Sequence, residues 1–419
     1  MVACVDPDVR TEDRESAGVV QSWTTVLTLF SIASVIETIG ISQIIAFLPL
    51  DLKAMGLPQA AVPRWVGLLN ALIFVLGLPL VPLWGVAADK YSRKLVIARS
   101  AVVEAVVFGL VALSRHPWEL AGSLLLVGFQ LGNTGVMLAT IRDVTPRRRL
   151  GTAIAIFGAT TPIGFAAGPA LGGLLLDHLD TSISNVYALS SALSVASAVM
   201  LTVGLREVRP TVIPRGSMLA LAYGAMRGVF TDPPARRLFT LFGFALLARL
   251  MAGPFLPIAV GRVTGPGIGQ ASAIALVVGT AALVGGVISP GAGAIGDRVG
   301  FRPVLIASLL GSGLALAVTP AAPSVSWLAA TSALAAACGA SVGAMVFGLL
   351  AVEVPPERRS ATLNLVYLPL YLAGIVGPAA GALVVSAGLP MVFYAAALVV
   401  WTGAALELAR PLRPAPAPE

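Results

Sequence analysis

The chain has 419 residues, 57% of them hydrophobic and only 11% charged, with a mean hydropathy of +0.91. A soluble domain carries about a quarter charged residues, so too few remain here to cover a water-facing surface, and lipid is the solvent for most of the exterior. The formal charge of +7 does not point to nucleic acid, because the basic residues sit in short loops between apolar segments, where they act as topology signals.

Backbone in lipid must satisfy its own hydrogen bonds, which leaves helices or closed barrels. The apolar stretches run near 20 residues rather than alternating over about ten, so helices are predicted. The leading segment, 1–23, is charged and lacks the basic-then-apolar layout of a cleaved signal, so the first helix is expected to remain as an uncleaved anchor. Helices are predicted at about 24–50, 65–87, 95–114, 118–141, 152–177 and 185–205, an N-terminal six-helix bundle over 24–205. A polar cytoplasmic linker, 206–237, carries Arg206, Arg209, Arg215, Arg227, Arg236 and Arg237. A second bundle, 238–409, follows with helices at about 238–261, 270–294, 303–321, 326–350, 360–387 and 389–409. The Pro-rich tail, 410–419, is expected to be disordered.

Orientation follows from the 27 Lys and Arg residues. With both termini in the cytoplasm, the loops on the opposite side hold only Lys53, Arg64, Arg115 and Arg262, and Arg249 lies inside a helix. The positive-inside rule therefore places both termini in the cytoplasm of a plasma (inner) membrane. Cys4, Cys338, His116 and His178 form no metal-ligand spacing. No nucleophile elbow, Walker A loop or dinucleotide fingerprint occurs, so no enzyme, metal site, bound cofactor or ATP-driven pumping by this chain alone is expected.

The two bundles repeat one another. FLPLDL with Pro49 in helix 1 returns as FLPIAV with Pro257 in helix 7, 208 positions later. GVAADKYSRK (Gly85–Lys94) after helix 2 returns as GAIGDRVGFR (Gly293–Arg302) after helix 8, again at 208. TPRRRLGTA in loop 4–5 matches PPERRSATL in loop 10–11, and GPALGG in helix 5 (Gly168–Gly173) matches GPAAGA in helix 11 (Gly377–Ala382) at 209. Paired six-helix halves with a solute site between them are a transporter design.

These residues resemble the major facilitator superfamily over nearly the whole chain. Its GxxxDxxGRK signature is matched by Gly85, Asp89, Arg93 and Lys94, with Ser92 where the family usually has Gly, and the second copy keeps Gly293, Asp297, Gly300 and Arg302. The resemblance implies an all-α integral membrane protein with twelve transmembrane helices in two pseudosymmetric six-helix bundles. It also implies that the signature aspartates pair with helix ends and basic side chains and hold the cytoplasmic side closed, with Asp143 a further partner for Arg93. Carboxylates near helix N-termini and guanidinium groups gain charge-assisted hydrogen bonds that fit this role. Gly164, Gly168, Pro169, Gly172 and Gly173 match the core of the GxxxGPxxGG motif of drug:proton antiporters, and Gly377, Pro378 and Gly381 repeat it in helix 11. Small residues allow close helix approach and proline bends the helix, so a hinge where helix 5 meets the other half is expected. The arginine those antiporters usually carry before a Q-G pair in helix 4 is missing, with Val127 or Gly128 in its place, so proton coupling stays open.

Ionisable groups at bilayer depth are functional candidates by default. Glu37 in helix 1 is expected as a proton or substrate site, with a static ion pair as the alternative, and Arg249 in helix 7 is its candidate partner. Glu104 is expected to pair with Arg99 or a neighbouring helix. Gln43, Asn70, Gln130, Asn133, Asn364, Tyr367 and Tyr371 are candidate polar groups of the cavity. The expected function is proton-coupled export of amphipathic small molecules by a monomer in the lipid bilayer, driven by the proton gradient. A facilitator or symporter for an organic acid or nutrient, and a membrane sensor without flux, are the alternatives.

Overall fold

The structure is a computed structural model that describes residues 21–208, 215–231, 233–265, 267–353 and 368–410. Among these, twelve helices are long and apolar enough to span a membrane. Helix 1 is Trp23–Ala54, helix 2 Val62–Lys90, helix 3 Arg93–Leu113, helix 4 Pro117–Val144, helix 5 Leu150–His178 and helix 6 Ile183–Gly204. Helix 7 is Pro233–Val263, helix 8 Gln270–Val299, helix 9 Phe301–Ala321, helix 10 Val325–Glu353, helix 11 Leu368–Ala387 and helix 12 Leu389–Leu408. The protein is thus an all-α, multi-pass membrane protein. Residues 1–20 and 411–419 of the predicted tails, and the start of helix 11 with Asn364 and Tyr367, lie outside the described residues.

Local sequence explains where the spans bend. Pro79 has no N–H to give the carbonyl of Val75, and helix 2 breaks at Leu76 between segments Val62–Val75 and Gly77–Lys90. Pro254 and Pro257 likewise interrupt helix 7, which passes through a 3-10 turn at Gly253–Phe255 before Leu256–Val263. Helix 4, expected as one continuous helix, is also broken. After Pro117–Leu126 comes a 3-10 turn at Val127–Phe129, and the second segment, Asn133–Val144, starts from Gly132 at φ 97°, a conformation that favours glycine.

The linker is not simply polar coil. It contains a helix at Met218–Thr231, and helix 7 starts at Pro233 rather than 238. The linker is tied to the N-terminal half where the Tyr223 hydroxyl donates to the Pro79 carbonyl (2.6 Å) and Lys90 Nζ donates to the Gly216 carbonyl (2.8 Å).

Each half has its own apolar core. Phe30, Ile97 and Ile141 belong to one cluster in the N-terminal half, Leu69, Phe108 and Leu120 to another, and Leu241, Leu309, Val346 and Val392 pack together in the C-terminal half. A fourth cluster crosses between them, joining Phe47 of helix 1 to Val260 of helix 7 and Ile274 of helix 8. The other contacts between halves run from mid-depth towards the face opposite the basic loops. There a Cβ on Gly67 of helix 2 would lie 2.6 Å from the Pro378 carbonyl, and one on Gly173 of helix 5 would lie 3.1 Å from Ser272 Cα. At the same face Asp177 Oδ2, at the end of helix 5, accepts from the backbone N–H of Ser272 in the first turn of helix 8 at 2.6 Å.

Candidate functional site

The breaks in helices 2 and 4 meet. A Cβ on Gly128 would lie 2.6 Å from the backbone nitrogen of Gly77 and 2.5 Å from Leu76 Cβ, so only glycine permits this crossing. Breaking a helix at bilayer depth frees backbone carbonyls, and such backbone is tolerated only where protein or a cavity serves it. Arg99 of helix 3 does so here. Its Nη2 donates to the carbonyls of Gln130 (3.3 Å) and Leu131 (3.4 Å), while its guanidinium lies 3.6 Å from the ring centroid of Trp84. An arginine from helix 3 thus stands beside the Gln130–Gly132 turn, where the family pattern expects one from helix 4.

Glu37 enters the same region from helix 1. Its Oε2 accepts from Asn133 Nδ2 at 2.7 Å, and its side chain keeps partial exposure. No ion pair joins Glu37 to Arg249 among the described residues, because Asn133 turns the carboxylate towards helix 4. Arg249 is solvent-exposed at mid-length of helix 7 although protein encloses it, which puts it on an open cleft rather than in a core. Glu104, 3% exposed, forms no ion pair with Arg99 among the described residues, which leaves the other expectation, a neighbouring helix. That neighbour is helix 6, at Ser194.

Of the cavity candidates, Gln43 is used elsewhere. It is buried, donates to the Gly168 carbonyl (3.1 Å) and accepts from Ser190 Oγ (2.6 Å), so it ties helices 1, 5 and 6 together. Asn70 donates to its own helix at Val66 (2.9 Å). Gln130 is 1% exposed, with neither side-chain polar atom hydrogen-bonded among the described residues.

At the basic face the signature splits into two unlike networks. In the N-terminal half Arg93, 3% exposed, donates from Nη2 to Asp89 Oδ1 (2.9 Å) and from Nη1 to Asp143 Oδ2 (2.7 Å). Glu207 beyond helix 6 caps helix 3, accepting from the Arg93 N–H (3.0 Å) and from Ser92 Oγ. In the C-terminal half Asp297 is exposed and has no ion pair among the described residues. The register explains this difference: at an offset of 208, Phe301 stands in place of Arg93, and Arg302 matches Lys94. Arg302 therefore turns to helix 12, donating from Nε to Glu407 Oε1 (2.9 Å) and from Nη2 to the Glu407 carbonyl (2.8 Å). Arg237 of helix 7 completes the cluster, donating to both Glu407 oxygens and to Glu353 Oε2 (3.0 Å). Both networks stay inside one half, so among the described residues the expected clamp between halves is absent at this face in this conformation. Gly85 and Gly293 have open space where a Cβ would stand.

The helix 5 motif packs on helix 1 with three of its glycines and meets the other half, as expected, with the fourth. Cβ atoms on Gly164, Gly168 and Gly172 would collide with Thr38, Ser42 and Phe47 of helix 1, and only Gly173 faces the other half. Helix 11 mirrors this arrangement: Gly377 and Gly381 abut Leu247, Met251 and Phe255 of helix 7, while the Pro378 carbonyl faces helix 2. Pro169 and Pro378 are both buried within these helices.

Sequence reading missed Glu207, Glu353 and Glu407. The repeat carried a signal for Glu353, since AVEVPPERR in loop 10–11 places it opposite Asp143 of RDVTPRRR. Nothing comparable marks Glu407.

The Major Facilitator Superfamily profile matches residues 29–265 and 238–419. The protein named "Multidrug resistance protein MdtG" of Salmonella typhi is 28% identical over 306 residues, covering 70% of this chain and 72% of that protein. Its Salmonella typhimurium counterpart matches to the same extent. Two solved structures share the fold. The bacterial homolog of the human lysosomal transporter Spinster, inward-facing and unoccupied, superposes with a TM-score of 0.74 at 16% identity, covering 93% of this chain and 97% of that one. The nucleoside transporter NupG superposes with a TM-score of 0.71 at 15% identity, covering 92% of this chain and 98% of that one.

Proposed function

The chain belongs to the Major Facilitator Superfamily, and from that membership we propose that it exports amphipathic small molecules in exchange for protons, by alternating access. The observation that carries the reading is Glu37. It is a carboxylate at mid-depth of the N-terminal half, held by Asn133 and still partly exposed. A carboxyl in that position can bind either a proton or a cationic or hydrogen-bonding solute, and competition between the two is what exchange requires. The similarity to proteins named for multidrug resistance supports export as the direction.

The protein would work as a monomer in the plasma (inner) membrane, both termini cytoplasmic, with the proton gradient as its driving force and no bound cofactor. A pH gradient imposed on proteoliposomes should drive solute movement, and Glu37→Gln should abolish that drive while leaving the folded protein intact. Undiminished gradient-driven transport in Glu37→Gln would remove Glu37 from the mechanism.

Arg249 favours a second reading. Its exposed guanidinium in the cleft, without an ion pair among the described residues, suits a carboxylate solute, as in a facilitator or symporter for organic acids. Uptake of anionic metabolites that is lost in Arg249→Ala would select that reading.

A further inference from the structure

Beside the ion-pair cluster of the C-terminal half, at the basic face, a cavity of about 330 Å³ opens between the start of helix 7 and the end of helix 12. Arg236, Thr240 and Leu241 line it from helix 7, and Leu406 and Arg410 from helix 12, next to the Arg237–Glu407 pair. The backbone of Arg410 is held there, because its carbonyl accepts from Arg302 Nη2 at 2.5 Å. Charge around the cavity is unbalanced. Four guanidinium groups, Arg236, Arg237, Arg302 and Arg410, meet two carboxylates, Glu353 and Glu407, and Arg237 and Arg302 make all the ion pairs. Arg236 and Arg410 have no ion pair among the described residues, which leaves two positive charges without a counter-anion. Arginines that line one cavity from two helices repel each other unless an anion joins them, and guanidinium groups match phosphate oxygens in geometry as well as charge.

Helix geometry shows which side the cavity faces. The first segment of helix 7 is unbroken from Pro233 to Ala252. At about 100° and 1.5 Å per residue, Arg236 lies roughly 140° around that segment from Arg249 and about 20 Å along it, and Thr240 lies roughly 180° around. The cavity is therefore on the side of helix 7 away from the cleft that Arg249 faces. On helix 12 the exposed side chains Tyr394, Leu398 and Leu406 recur at multiples of four residues, an apolar stripe running from the membrane interior to the cavity. A free anion would use the arginines and leave this stripe idle, whereas an anionic amphiphile uses both.

We propose that this cavity binds one anionic phospholipid of the leaflet at the basic face, its phosphodiester between Arg236 and Arg410 and an acyl chain along Tyr394, Leu398 and Leu406. Basic pockets between helices at the cytoplasmic side suit such headgroups, and that is the side of the basic face in the orientation proposed above. The lipid joins helices 7 and 12 at the ends that Arg237 and Glu407 also join. Because it binds the folded protein and not the unfolded chain, it stabilises the C-terminal half by mass action. The site is independent of the exchange reading, since neither Glu37 nor Arg249 takes part in it.

The test titrates dioleoylphosphatidylglycerol into the full-length protein in neutral detergent micelles and counts bound lipids by native mass spectrometry. Wild type should hold a first phosphatidylglycerol more tightly than later ones, and dioleoylphosphatidylcholine about tenfold more weakly. At about fivefold per arginine, Arg236→Gln combined with Arg410→Gln should weaken that first lipid roughly 30-fold. Arg147→Gln combined with Arg148→Gln, exposed arginines of the basic loop 4–5 in the other half, should leave it within about twofold. Equal losses in the two double variants would reduce the effect to general surface charge and overturn the site. In a thermal unfolding assay, phosphatidylglycerol should protect wild type and inorganic phosphate should not; equal protection by phosphate would make the occupant a free anion and overturn the lipid assignment. Should the first double variant fail to fold, Thr240→Glu takes its place. It puts a carboxylate at an exposed position beside Arg236 and should weaken the first lipid about fivefold or more, and undiminished binding would refute the proposal.

Discussion

Glu407→Gln isolates what the basic-face networks do. The Glu407 side chain is 2% exposed and accepts from two arginines, Arg237 (17% exposed) and Arg302 (21%). Breaking a buried ion pair by removing one partner costs about 3–5 kcal/mol. Here both cations are partly wet, Arg237 keeps Glu353 at 3.0 Å, and Arg302 keeps the Glu407 carbonyl at 2.8 Å. Glutamine also preserves shape and some hydrogen bonding. The cost should therefore fall to about 2–3 kcal/mol, with surface-like screening lowering it further. At about 1.4 kcal/mol per decade, that shifts the folded-to-unfolded ratio roughly 30- to 140-fold. All four helices joined by the cluster, 7, 9, 10 and 12, belong to one half, so the loss should appear in stability and not in turnover. Detergent-solubilised protein followed by denaturant titration should show the shift, and a double-mutant cycle with Arg302→Gln should give a coupling above about 0.5 kcal/mol. Transport per folded molecule should stay within about twofold of wild type. Lost transport with unchanged stability would refute the reasoning and restore the idea of a clamp between halves.

Two further expectations come from the same geometry. Gly168→Ala would place a Cβ 2.1 Å from Ser42 Oγ and 2.4 Å from the Ile39 carbonyl, and should cost about 1–3 kcal/mol in a thermal unfolding assay, whereas Gly85→Ala, with open space around it, should stay within about 0.5 kcal/mol. Asp143→Asn, which removes a 2.7 Å partner of the buried Arg93, should destabilise measurably by about 1–2 kcal/mol, while Asp297→Asn should do almost nothing.

Much of the architecture is legible because lipid imposes it. Apolar segment length determines the twelve spans, and prolines at 79, 254 and 257 announce two of the three breaks through the hydrogen bonds they cannot donate. The helix 4 break is not announced in this way, since Gly128 and Gly132 also read as ordinary small residues of helix packing. The site is less legible still. Depth flags Glu37 and Arg249 as unusual, but depth along a helix says nothing of azimuth, and Asn133 decides where Glu37 points. Arg302 shows the limit of motif matching: a one-residue difference in register, about 100° around a helix, exchanges Asp297 for Glu407 as partner. Glu407 sits in the last turn of helix 12, where a lone carboxylate looks like any polar helix end until helices 7 and 9 close around it.

The hydrogen bond from Ser272 to Asp177 has a consequence for the resting population of states. A helix is ordinarily capped from its own chain neighbourhood, so the cap contributes to folding. Helix 8 instead has a first-turn N–H satisfied by a carboxylate on helix 5 of the opposite half. The free energy of that bond, on the order of 1 kcal/mol with the helix dipole assisting, is therefore a term in the equilibrium between conformers. It weights the population about fivefold towards molecules sealed at that face, and any solute that opens the seal must bind the opened conformer more tightly by at least as much.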